Sequence, residues 1–140
     1  MLQMRRDKNR GYYSLDENLN CVEHGEVSIE EAYNLIDKYI EGQEELKGIK
    51  NGEYLISKSS FGFTAEENIS IEIFIYDKYK FGVQFEMATP KKVLFIKYNS
   101  WYQEEITIFS IEELKEITGK FFEYESEEFK NYFEIVRKKL

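Results

Sequence analysis

Cysteine, proline and histidine are nearly missing from this chain of 140 residues, which has one of each. A lone Cys21 excludes an internal disulfide framework and agrees with a reducing compartment, so the cytoplasm is the expected location. A lone His24 excludes any mechanism that needs two imidazoles, and a Ser-His-Asp or Cys-His arrangement would have to be built on this one residue. Cys21 and His24 stand with two residues between them, but a structural zinc site takes about four ligands and no further Cys or His exists to complete one. Gly48, Gly52, Gly62 and Gly82 are isolated, and none opens a helix in the pattern that cradles phosphate. No run approaches the roughly 20 apolar residues of a membrane span. The basic start, 1–13, has no apolar segment behind it and does not read as a secretory signal. We therefore assign no catalytic residues, no metal and no cofactor, and expect a non-enzyme with no membrane partner.

What is present is a core and an uneven charge. Hydrophobic residues make up 42% and aromatic residues 16%, enough to pack a single domain without cross-links. The net charge is −8. Arg5, Arg6, Lys8 and Arg10 make the first eleven residues basic, and Arg137, Lys138 and Lys139 do the same for the last turn. The span between them is therefore more acidic than the total. Such a body repels nucleic acid and anionic lipid and attracts basic partners. The basic arm followed by Tyr12 and Tyr13 mixes charge with stacking rings, as nucleic-acid contacts do, but four cations are few against that body. An arm folded on its own domain, or a tail, is the favoured reading.

The pattern predicts an α+β fold. Residues 1–26 lack a sustained period and are expected to be a basic arm and loop with at most a short strand near Tyr12 to Leu15. Residues 27–140 form the single α+β domain. Ser28 and Glu31 make a capping box, followed by Ile29, Ala32, Leu35, Ile36 and Tyr39 at helical spacing, so a helix is expected over 29–41 with Gly42 as its stop. Glu53 to Ser59 reads as a first strand. Ile69, Ile71, Ile73 and Ile75 then alternate with Ser70, Glu72, Phe74 and Tyr76, and Tyr79, Phe81, Val83, Phe85 and Met87 share one face of the next strand. The proline-containing stretch 89–92 is expected to turn, Val93 to Ile96 to form a strand covered on both sides, Asn99 and Ser100 to break it with Trp101 and Tyr102 at the corner, and Gln103 to Phe109 to form the last. Together these give a four- to five-stranded, mainly antiparallel meander over 53–109. Ser110 with Glu113 starts a helix ending near Gly119. Ser126 caps a final one with Phe129, Tyr132, Phe133, Val136 and Leu140 along its buried stripe.

The isoleucine and phenylalanine face of the sheet is expected to bury the helices. That leaves Glu72, Phe74, Tyr76, Lys80, Gln84, Glu86, Phe95, Lys97, Glu105 and Thr107 opposite. Eleven tyrosines, eleven phenylalanines and one tryptophan exceed the usual needs of a core this size. Tyrosine and tryptophan also anchor protein interfaces at low entropic cost. The candidate partner-binding set is Glu72, Tyr76, Glu86, Trp101, Tyr102, Glu104 and Glu105, an acidic patch with rigid anchors suited to masking a basic protein surface.

In size, acidity and α+β layout the chain resembles immunity proteins paired with bacterial toxins. That resemblance implies a cytoplasmic protein neutralising a basic, toxin-like effector such as a nuclease. It rests on no motif and carries over no residue. The competing readings are an accessory or phage-encoded inhibitor binding a protein or small ligand through the sheet face, a carboxylate-based enzyme, and a nucleic-acid binder. A homodimer through an edge strand, 53–59 or 103–109, is a further option.

Overall fold

The computed structural model describes residues 9–15, 20–42, 60–66, 68–77, 79–93 and 96–140, with 89–93 and 96–100 described as backbone only. Among these, six strands and three helices follow in chain order. They are β1 (Arg10–Leu15), β2 (Cys21–Val27), α1 (Ile29–Gly42), β3 (Phe61–Glu66), β4 (Ile69–Asp77), β5 (Lys80–Val93), β6 (Ile96–Ile108), α2 (Ile111–Glu123) and α3 (Ser126–Lys139). The strands form one antiparallel sheet in the order β2-β1-β3-β4-β5-β6. The fold is α+β as the sequence predicts, with more strands than the four or five expected. Among the described residues no helix is long and apolar enough to cross a membrane.

Alternation builds the core. Ile71, Ile73, Phe81, Val83 and Phe85 are fully buried, and Phe61 and Phe63 of β3 join them. The three helices cover this face. Tyr39 of α1 stacks on Phe61 at 3.9 Å, Phe122 of α2 meets Phe63 edge-on at 5.2 Å, and Phe129 and Phe133 of α3 close over Phe85 at 4.9 and 5.5 Å. Tyr79 departs from the expected face. It sits 74% exposed in the β4–β5 reversal, where its amide donates to Asp77 Oδ1 at 2.6 Å.

The capping box of α1 forms in both directions: Glu31 N donates to Ser28 Oγ and Ser28 N to Glu31 Oε1, each at 3.2 Å. Ser110 caps α2 by accepting from Glu113 N at 3.1 Å. Two expected helix ends move. Gly119 does not stop α2, which runs on to Glu123. It is a buried helical position where a Cβ would come within 2.5 Å of the Tyr33 hydroxyl of α1. Its glycine thus serves close helix packing. Ser126 is the first residue of α3 and makes no cap; Glu125 holds the cap position without a side-chain bond. Leu140 is 62% exposed, off the stripe predicted for it.

The sheet differs from the sequence reading in two places. The short strand expected near Tyr12 to Leu15 forms as part of β1, but Cys21–Val27, where loop was expected up to Glu26, pairs with it as a β1–β2 hairpin, and β1 also pairs with β3. Arg10 belongs to the fold: it is buried and donates from Nε to the Phe121 carbonyl and from Nη2 to the Tyr124 carbonyl at the end of α2. The second difference is at 89–100. The expected turn at 89–92 and break at Asn99 and Ser100 are absent, and β5 and β6 pair continuously out to Val93 with Ile96. Pairing with β4 ends at Met87, so beyond Ala88 the sheet continues as a two-stranded ribbon. A proline that lacks an N–H is tolerated in a strand with a partner on only one side. The predicted strand 53–59, Arg5, Arg6, Lys8, and Leu94 and Phe95 lie outside the described residues.

Candidate functional site

The helices occupy one face of the sheet, and among the described residues no element covers the other. Strand register fixes what that open face carries, because residues paired side by side project to the same side. One row runs across all six strands as Glu26, Gly11, Thr64, Ser70, Glu86 and Gln103. The next runs as Glu23, Tyr13, Gly62, Glu72, Gln84 and Glu105. Five of these twelve positions are glutamates and none is lysine or arginine.

The centre of the face is built around Tyr13 and Glu72. Gly62 has no room for a side chain, since a Cβ would collide with the Ile71 carbonyl and with Tyr13 itself. The Tyr13 ring therefore reaches across β3, its hydroxyl 3.3 Å from the Ile71 carbonyl oxygen and 3.4 Å from Glu72 Oε1. Burial raises the Glu72 carboxyl above its usual range, and the charges of Glu86 and Glu105 add to the shift against hydrogen bonds from Ser60 and Tyr13. Further along, Tyr76 donates to Glu105 Oε1 at 3.3 Å, Lys80 lies 5.6 Å from the Tyr76 ring centre, and Gln84 donates to Glu86 Oε1 at 3.4 Å. Trp101 is 59% exposed and its indole N–H donates to Gln103 Oε1 at 3.2 Å.

Of the seven residues chosen from sequence, Glu72, Tyr76, Glu86, Trp101 and Glu105 share this face. Tyr102 and Glu104 do not. They pair with Met87 and Phe85, whose side chains are buried under the helices. There Tyr102 donates to Glu134 of α3, Lys130 lies 4.9 Å over its ring, and Arg137 stands 3.9 Å from Glu104. Because β6 is one uninterrupted strand, Trp101 and its neighbour Tyr102 must point to opposite sides; the expected corner at 99–102 had hidden this. Tyr102 and Glu104 dock α3.

Sequence reasoning missed Tyr13, Glu23 and Glu26. The cause lies in a bulge of β2, where Tyr13 pairs with Glu23 and the preceding Tyr12 pairs with Gly25, leaving His24 extra. Gly25 takes φ +91°, a conformation that favours glycine. The bulge turns His24 to the helix side, where it stacks on Tyr12 at 4.5 Å and shares a 2.7 Å hydrogen bond with Ser14 Oγ. Cys21, paired with Leu15, lines a groove on the open face. The two residues thus lie on opposite sides of the strand and make no nucleophile pair. Among the described residues no three His, Cys, Asp or Glu side chains converge as a metal site.

Comparison of the chain with protein families, with curated proteins and with solved structures returns no match.

Proposed function

We propose that this chain is a small acidic binding protein that neutralises a basic partner protein through its open sheet face, as an immunity protein does with a bacterial toxin. One observation carries the reading: the two central rows of that face hold five carboxylates and no cation. Such a surface steers and holds a basic partner and rejects nucleic acid and anionic lipid. Trp101 and Tyr76 supply rigid aromatic area beside the carboxylates, and the already desolvated Glu72 is where a partner's cation gains most. A nuclease groove, which meets phosphate in its working state, has the complementary charge.

A second reading, an accessory or phage-encoded inhibitor that holds a small ligand on the same face, is favoured by a groove of about 400 Å³ at the β1–β2 end.

The test is capture of the partner by the full chain from its source cells, followed by titration against the Glu72→Lys, Glu86→Lys double variant. We expect a basic protein and at least a tenfold weaker complex, about 1.4 kcal/mol. A captured partner with an acidic surface, or an affinity untouched by the two reversals, would overturn the assignment.

A further inference from the structure

The groove at the β1–β2 end is lined by Gly11, Tyr13, Cys21, Glu23, Glu26, Thr64 and Ser70, with Tyr12 and the Gly25 backbone beneath. Its construction is specific. In a regular strand, positions 23 and 26 would project to opposite faces. The extra residue at His24 restores both to the open side, so Glu23 stands beside Tyr13 and Glu26 beside Gly11. Gly11 keeps the floor low, because a Cβ there would run into Thr64 Oγ1. Glu23 and Glu26 stand on β2, Thr64 and Ser70 stand across β1 on β3 and β4 with Thr64 Oγ1 over Gly11 and the Ser70 hydroxyl bonded to Tyr13, and Tyr13 lines the groove beside them.

From this geometry we infer that the groove receives an arginine side chain presented by the partner. A guanidinium is planar and carries five N–H donors, which two carboxylates and two hydroxyl oxygens can accept, while its face stacks on an aromatic ring. An ammonium has three donors and no face to stack. The inference rests on the reading of the open face as the partner's surface, and it places a specificity determinant at the end of the face away from Glu105.

Cys21 is the only cysteine in the chain, is exposed, and lines the groove, so its alkylation by an uncharged maleimide reports occupancy. The probes are blocked tripeptides Gly-Arg-Gly, Gly-Lys-Gly and Gly-citrulline-Gly with the full chain. The arginine probe should slow labelling saturably, by about threefold at twice its dissociation constant. Lysine should protect less and citrulline not at all. The exposed pair Glu23→Gln, Glu26→Gln should abolish protection, while Glu105→Gln, on the far strand, should retain it. No protection by arginine, equal protection by citrulline, or full protection in the Glu23→Gln, Glu26→Gln variant would each overturn the inference. The assay needs no partner, so it separates two failures. A complex weakened by Glu72→Lys, Glu86→Lys in which Cys21 still labels freely removes the groove and keeps the binding face. Arginine protection without any effect of those reversals keeps the groove and removes the face.

Discussion

Arg10 lies inside the fold and donates from Nε to the main-chain carbonyl of Phe121 at 3.2 Å, joining the first strand to the end of α2, more than a hundred residues along the chain. Its Nη2 reaches the Tyr124 carbonyl at 3.1 Å, and the guanidinium lies 5.6 Å from the Phe121 ring centre. A cation at a helix C-terminus is favoured by the negative end of the dipole and satisfies carbonyls that have no helical partner. Burial pulls the guanidinium pKa down and the Glu66 charge opposes that shift. Arg10→Met keeps much of the apolar stem and removes the donors, leaving a buried carbonyl unsatisfied. Urea unfolding should show a loss of about 2–3 kcal/mol. Arg10→Lys, with a single point of donation, should lose part of that.

The three helix starts separate by what their serines do. Ser28 accepts from the Glu31 amide at Oγ and donates its own amide to the Glu31 carboxylate, and Ser110 accepts from Glu113. Ser126 is already inside its helix. Ser28→Ala and Ser110→Ala should each cost about 1 kcal/mol in denaturant unfolding, whereas Ser126→Ala should stay within about 0.5 kcal/mol of the parent. A large loss at Ser126 would contradict the observed start of α3.

Gly62 is required by the residues that cross over it. An added methyl meets the Ile71 carbonyl of the paired strand, which cannot move without breaking the sheet ladder. Gly62→Ala should cost about 1–3 kcal/mol as overpacking does. It should also displace the Tyr13 ring, visible as a changed tyrosine signal in near-ultraviolet circular dichroism. The same substitution at Gly42, where no described residue lies within 4 Å of the added atom, serves as the control.

The parts of the fold that could be read from the sequence are those where one face is buried throughout. Ile69 to Ile75 and Phe81 to Met87 show period two because water meets one side and helices the other. β2 could not be read, since its residues up to Glu26 are exposed and the bulge at His24 breaks whatever alternation remains. Pro90 signals a turn from sequence, yet β5 passes through it because β4 has already ended. The candidate site divides the same way. Glu72, Tyr76, Glu86 and Glu105 follow from parity along clear strands. Tyr102 is hidden by an expected break at Asn99 that β6 does not have, Glu104 shares the parity of the buried Ile106 and Ile108 and belongs with them on the helix side, and Tyr13, Glu23 and Glu26 require cross-strand register between segments far apart in sequence.

Glu72 should make both stability and binding depend on pH, with opposite signs. Its carboxyl is raised above the ordinary value mainly by burial, so the folded chain holds this proton more tightly than the unfolded chain does. Stability from this group is then greatest below the unfolded pKa, falls as pH rises through the window between the two values, and stays reduced above the folded pKa. Glu72→Gln removes the buried charge and keeps the hydrogen-bonding shape. Thermal unfolding should show the variant more stable than the parent at pH 7 and equal to it below the carboxylate range. Binding runs the other way: a partner's cation favours the ionised form, so complex formation releases this proton and tightens as pH rises through the same window. Calorimetry in two buffers of different ionisation enthalpy reads that release directly. It should vanish in Glu72→Gln, and an unchanged proton count in the variant would assign the linkage to another group.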